Sequence, residues 1–287
     1  MLEIINVMFH GAAFGMVLYV ITVGLSITMG LMRFANLAHG IFAMVGGYAL
    51  IVLMGRYGVP YPVALGLAFV ASCLMGYVLE RLLYARFYGD SELAQVLISI
   101  GLIFVAIALV RIAFGPQSQR VDLPPYLQGQ WHIFGLDWIA YRVFIIVVGA
   151  LLILALWFGI ERTRWGAKVR AAVDNRAMAQ SIGIDTSHIF SLTFMLGSGL
   201  AGLGGALGVE LLAVQPGYPF EFLVIFLMVV ALGGIGSLRG TFFAALLIGL
   251  TDTACKYWIP ELGSFLLYGL VIVFLGLRPG GLFGAQT

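Results

Sequence analysis

Asp252 and Lys256 stand four apart in a segment that is otherwise almost wholly apolar. With the acid first and the base one helical turn later, they can pair directly on one helix face. Charges at membrane depth are costly and are normally paired or functional. This pair is therefore either a structural bridge facing the interior of a bundle or part of a polar path. Asn36 and His39 form a second polar spot, in NLAHGIFAMVGGY, with Gly40, Gly46 and Gly47 close behind. The amide and imidazole can cap a helix start or hydrogen-bond across to a neighbour. The glycines mark a closely packed helix face or backbone beside a narrow passage. No second His, Cys or acid stands at ligand spacing from His39, so no metal is expected there. His10, His132 and His188 are scattered, which argues against an integral-membrane enzyme with clustered catalytic groups. Ser26, Thr28 and Ser99 are expected to bond back to their own helical turns.

The elements that position these residues follow from composition. Of 287 residues, 62% are hydrophobic and 10% are charged, against about 25% charged in a soluble domain. Mean hydropathy is +1.06. Such a chain cannot cover a water-facing surface and must contact lipid. Its apolar stretches run near-continuously for roughly 20 residues, whereas barrel strands alternate over about 10. The expected class is all-α, a polytopic membrane protein forming one transmembrane domain over 1–287. Apolar runs place spans at 11–31, 37–55, 60–80, 92–114, 141–160, 186–213, 220–238, 240–258 and 263–277, giving eight or nine helices. The 220–258 region is either two spans meeting in a Gly-rich turn or one broken or re-entrant segment. Cys73 and Cys255 read as small core residues. Glu3, with no Lys or Arg before the first apolar run, does not fit a signal peptide, so the first helix is expected to stay in the mature protein. With a net charge of +2 and no basic block, nucleic acid is not an expected partner.

Lys and Arg set the orientation. The loop 161–185 holds Arg162, Arg164, Lys168, Arg170 and Arg176, five of the fifteen basic residues. Arg33, Arg81, Arg86, Arg239 and Arg278 fall on the same side, Arg56 and Arg120 on the other. Nine spans then put the N-terminus outside and the C-terminus in the cytoplasm. The loop itself, ERTRWGAKVRAAVDNRAMAQSIGID, is alanine-rich and predicts a short helix outside the bilayer. Gly166 marks a break before that helix and Gly183 a stop after it. Val169, Ala172, Val173 and Arg176 supply a modest stripe at helical spacing. The segment is either a headgroup-bound amphipathic linker or a docking knob, with Arg170 and Asp174 as paired signs suited to a specific groove.

Three stretches line up in order: NLAHGIFAMVGGY, TRWGAKVRAAVDNRAMAQSIGI, and VALGGIGSLRGTFFAALLIGL at 230–250. Together with the ending LRPGGLFG, they resemble the membrane permease of ABC importers for branched-chain amino acids, over nearly the whole chain. The resemblance implies a non-catalytic transport subunit of a bacterial or archaeal inner membrane that binds no cofactor itself. It implies a second homologous permease, two cytoplasmic ATPase subunits carrying ATP and Mg, and a periplasmic or surface-tethered binding protein. The loop helix becomes the coupling helix, with Arg164, Gly166, Arg170, Ala171, Asp174 and Gly183 as coupling positions. Asn36, His39, Gly40, Gly47, Gly233, Gly234, Gly236 and Asp252 become candidates for the path or its gating. Glu210, beside LLAVQPGYP, reaches water or faces the delivery port. No Gly-x-x-x-x-Gly-Lys-Ser/Thr sequence is present, in keeping with ATP hydrolysis by partners.

One position departs from the family pattern. Members commonly carry a carboxylate just after AHG, where this chain has Ile41. If that acid assists a solute ammonium, its loss points to a solute without a cation, such as urea, an amide or an organic acid. The alternatives to an ATP-driven importer are a passive channel, or an ion-coupled secondary transporter with Asp252 as the ion site.

Overall fold

The computed structural model describes residues 2–32, 34, 36–133 and 136–283, leaving aside the side chains of residues 31, 32, 133, 136, 173, 174, 176 and 264. The chain runs through α1 (Leu2–Met32), a 3-10 turn (Leu37–His39), α2 (Gly40–Gly55), α3 (Tyr61–Leu82) and α4 (Glu92–Phe114). A short antiparallel hairpin follows, β1 (Gln130–Ile133) and β2 (Leu136–Ile139), pairing Trp131 with Trp138. Then come α5 (Ala140–Glu161), α6 (Arg164–Asp174), α7 (Arg176–Ser181) and α8 (Thr186–Leu207). The chain closes with α9 (Tyr218–Glu221), α10 (Leu223–Gly233), α11 (Leu238–Trp258) and α12 (Gly263–Leu277). Side chains fix several starts by accepting orphan amides: Ser91 for α4, Thr163 for α6, Asp185 for α8 and Ser237 for α11.

Seven of these helices are long and apolar enough to cross a membrane, and two shorter apolar helical stretches, Tyr218–Gly233 and Phe265–Leu277, accompany them. α1 and α8 form the centre, mostly buried, with α2, α3, α5, α10 and α11 packed around them. α4 and α5 lie at the periphery and expose large apolar side chains such as Leu97, Ile112 and Leu151, as a lipid-facing surface does. Lipid supplies no hydrophobic drive between helices, so close backbone approach must hold the centre. A methyl group on Gly24 would overlap the Gly197 carbonyl of α8. Gly46 of α2 and Gly202 of α8 meet in the same way.

Contacts at the helix ends show how the helices alternate. Tyr141, at the start of α5, donates to the Leu207 carbonyl at the end of α8 (2.7 Å) and lies 3.2 Å from the Tyr61 hydroxyl at the start of α3. At the opposite end, Ser191 near the start of α8 donates to Glu80 near the end of α3 (2.7 Å), and Arg239 at the start of α11 meets Glu161 at the end of α5.

Three boundaries differ from the hydropathy reading. α1 begins at Leu2 rather than residue 11, so His10 lies within the helix. The sixth span stops at Leu207 instead of 213, because Gly204, Gly205 and Gly208 are poor helix formers and Pro216 and Pro219 follow. The seventh is broken at Phe222, and α10 holds 11 residues. At 1.5 Å per residue α10 spans about 16 Å, half of a ~30 Å hydrocarbon core. α10 and α11 are separate helices joined by the Gly-rich turn, in which Gly234 (φ +92°) and Gly236 (φ +83°) adopt left-handed backbone. Arg33, one of the residues used to orient the chain, lies outside the described residues.

Candidate functional site

A cavity of about 750 Å³ lies between α1, α5, α10, α11 and α12, at the end where α5 begins. Three elements bring charged groups to it: Arg142 from α5, Glu221 from α9, and Asp252 and Lys256 from α11, with His10 of α1 beside them. Lys256 Nζ donates to Asp252 Oδ2 at 2.7 Å. The carboxylate is buried, whereas the Lys256 side chain is 61% exposed, so the base reaches over the acid from the open side. Glu221 accepts a hydrogen bond from Gln215. Phe14, Phe222, Ile225 and Leu267 supply apolar wall. Two acids balanced by two bases over an apolar surface can hold a small solute that carries both signs.

Of the residues singled out in the sequence for a path, Asp252 lines this cavity; the others lie elsewhere. Asn36 is buried and caps the 3-10 turn: its Oδ1 accepts from Ala38 N and from the Tyr84 hydroxyl, each at 3.1 Å. His39 Nε2 donates to the Ile21 carbonyl of α1 at 2.9 Å, which fixes the tautomer because a carbonyl can only accept. A Cβ on Gly40 would stand 3.0 Å from Pro219 Cα, so the first turn of α2 rests on α9, the element that presents Glu221. One added to Gly47 would meet Val214 at 2.8 Å. The NLAHG stretch thus braces a cavity wall from behind. Ile41 is buried in the core and does not line the cavity.

Gly233 packs against Gly240 and Thr241 across the α10–α11 turn. Gly236 donates its amide to Ser26 on α1, to the carbonyl at 3.1 Å and to Oγ at 3.2 Å. Ser26 is therefore used between helices rather than within its own turn. Thr28 does bond back, to Gly24 and Leu25. Ser99 Oγ is buried with no hydrogen-bond partner among the described residues. Glu210 is exposed.

The basic loop forms two helices, because Asn175 interrupts it and caps α7 through Met178 N. Gly166 lies inside α6 instead of marking a break before it: Thr163 starts the helix, and a side chain at 166 would overlap the Ile160 backbone. Gly183 does close α7, with φ +83° and the Ile184 amide returning to the Ala179 carbonyl. Val169 and Ala172 of the stripe are buried, while Arg164 and Arg170 are exposed and Ala171 half-buried. The Arg170 guanidinium donates to the Ile160 carbonyl at the end of α5. The side chains of Val173, Asp174 and Arg176 lie outside the described residues, and with them the expected Arg170–Asp174 pairing.

His10, Arg142 and Glu221 were not singled out from sequence as site residues. Arg142 sits at the mouth of an apolar run and His10 just before another, where each passes for a boundary residue. Their convergence with Asp252 is tertiary and has no local signature.

Long apolar helices with an apolar exterior, packed around a charge-balanced cavity, are the architecture of a polytopic membrane protein. The chain belongs to the family described as branched-chain amino acid transport system / permease component, whose profile matches residues 7–275. It is 28% identical over 292 residues to the high-affinity branched-chain amino acid transport system permease protein BraD of Pseudomonas aeruginosa, covering 96% of this chain and 94% of that protein. The same figures hold for the LivH permease protein of Escherichia coli K12. The LivM permease protein of E. coli K12 is 26% identical over 94% of this chain and 68% of its own length. No solved structure matches.

Proposed function

We propose that this chain is one of two homologous permease subunits of an ATP-driven importer in the cytoplasmic membrane of a bacterium or archaeon, carrying branched-chain amino acids or a closely related small polar solute. The cavity between α1, α5 and α11 carries this reading. Its acids, Asp252 and Glu221, suit a solute ammonium, and its bases, Arg142 and Lys256, a carboxylate. Phe222, Ile225 and Leu267 suit an aliphatic side chain. Because Ile41 lies away from the cavity, its apolar character does not remove an acid from the solute. Similarity to both LivH and LivM, two differently named permease proteins of one transport system, supports pairing with a second, different permease.

In this reading the cavity faces outside, where a periplasmic or surface-tethered binding protein delivers solute. α6 lies on the cytoplasmic side and docks into a groove of one of the two ATPase subunits, which hold ATP and Mg. Arg164 and Ala171 face that partner, Arg170 contributes by tying α6 to the end of α5 through the Ile160 carbonyl, Asp174 lies on the same helix, and Gly166 and Gly183 fix the shape of the segment. ATP-driven closure of the ATPases shifts the permease pair between states, and each partner must bind those states with different affinity.

The test is reconstitution of the two permeases and two ATPases in liposomes, supplied with the binding protein. ATP-dependent uptake of leucine, isoleucine and valine is expected, and Asp252→Asn should lower it about tenfold, the loss of one charge-assisted contact. Uptake by this chain alone without ATP, or uptake that follows an ion gradient through Asp252, overturns the reading.

A further inference from the structure

Glu161 is the last residue of α5, and Arg239 is the second residue of α11. Their side chains meet at 2.7 Å, between Glu161 Oε1 and Arg239 Nη2. Around this contact the two helices are otherwise apart. A cavity of about 330 Å³ lies on one side, toward Ile27 of α1 and Val169 of α6. Another of about 290 Å³ lies on the other, toward Tyr19, Trp157 and Phe242. Both are lined by Glu161, Leu238 and Arg239, so the ion pair is a strut across an open cleft.

Each end of this strut is firmly held. On the α5 side, Gly166 sits directly on the Ile160 backbone, Arg170 donates to the Ile160 carbonyl, and Thr163 donates to the Gly159 carbonyl. α6 and the last turn of α5 therefore move as one piece, with Glu161 on it. On the α11 side, Ser237 caps the helix at the Gly240 amide, and 21 continuous residues run from there past Asp252 and Lys256 at the large cavity. A displacement of α6 reaches Glu161 with little slack, and a displacement of Arg239 reaches Asp252 along a rigid rod. The pair that joins them is half-exposed, 36% at Glu161 and 64% at Arg239. Such pairs are individually weak and break and re-form readily.

We propose that Glu161 and Arg239 are positioning residues that transmit the motion of α6 to α11 and so to the solute cavity. This rests on α6 being the helix that docks the ATPases. The test uses the whole importer in liposomes, with solute moved per ATP hydrolysed as the readout and ATPase retention and thermal unfolding measured alongside. Glu161→Gln and Arg239→Gln should each lower solute per ATP about threefold, the scale of one exposed ion pair. ATPase binding and stability should stay unchanged, and the exchanged pair Glu161→Arg with Arg239→Glu should recover most of the ratio. A ratio unchanged in both single variants overturns the proposal. So does a loss in the single variants that the exchange does not repair. If the unaltered chain holds no ATPase through α6, the underlying reading fails and the proposal with it.

Discussion

Glu80 shows how the bundle treats a charge it cannot expose. The residue is buried near the end of α3, and its carboxylate accepts from Ser191 on α8 at 2.7 Å and from Tyr88 at 2.8 Å, with Arg81 3.9 Å away. Hydrogen bonds to an ionised acceptor are stronger than neutral ones, and a buried charge needs them. Glu80→Ala removes both and should destabilise the protein by about 3 kcal/mol, with Glu80→Gln costing less because it keeps the shape and an acceptor oxygen. Thermal unfolding of the purified chain in one detergent measures both; equal midpoints for Glu80→Ala and the unaltered chain would show that the network adds nothing. Asp252 is handled differently, because its partner Lys256 comes from the open side of a cavity. The contrast separates the two acids by role: Glu80 is satisfied by neutral hydroxyls inside the packing, and Asp252 by a movable base next to empty volume. The Asp252–Lys256 pairing was legible in the sequence because both partners lie on one helical turn. Glu80 was not, since its partners are 8 and 111 residues away.

At the scale of elements, glycine substitutes for the hydrophobic drive that lipid withholds. The centre of the bundle is set where α8 crosses α1 and α2, with Gly197 against Gly24 and Gly202 against Gly46. Gly101 on the peripheral α4 has nothing within 4 Å of an added Cβ. Gly46→Val should therefore force α2 off α8 and cost about 1–3 kcal/mol or more, as overpacked sites do, while Gly101→Ala should be neutral or slightly stabilising. Comparing the unfolding midpoints of the two variants checks this, and similar midpoints would mean that α2 and α8 do not meet as closely as described. The glycine density of NLAHGIFAMVGGY announced close packing, but the partner helix could not be read from it. Hydropathy likewise located the apolar runs yet missed the stop at Leu207 and the break at Phe222. An apolar stretch looks the same to a hydropathy window whether its backbone is helical or, as over 208–217, irregular and held by neighbours such as Gln119, whose amide donates to the Val214 carbonyl at 2.8 Å. Gly166 misled for a related reason. Its position in an alanine-rich segment suggested a helix boundary, whereas contact with Ile160, six residues back, keeps it small within α6.

Across the whole molecule, the two ends differ in charge and in shape. The end bearing α6 and α7 carries Arg162, Arg164, Lys168 and Arg170, and also Arg239 and Arg81. The opposite end carries the large cavity, the 130–139 hairpin and the segment around Gln117 and Gln119. The alternation of helix ends is internally consistent from α3 to α11, so one orientation fixes all of them at once. Basic loops stay on the cytoplasmic side during insertion, and the proposed function accordingly puts α6 and α7 in the cytoplasm and the cavity outside. Single cysteines can check this in cells, in a background where Cys255, which is partly accessible, is replaced by alanine and the buried Cys73 is kept. Gln117→Cys should react with a membrane-impermeant maleimide in intact cells (spheroplasts, if an outer membrane is present). Met178→Cys, at an exposed position on α7, should react only after the membrane is opened. Both substitutions fall on exposed sites, and their effect on folding should be small, within about 0.5 kcal/mol. The reverse pattern would turn the cavity toward the cytoplasm and the basic helices outward. A docked ATPase would then be excluded, and the charge-balanced cavity would become an exit rather than an entrance.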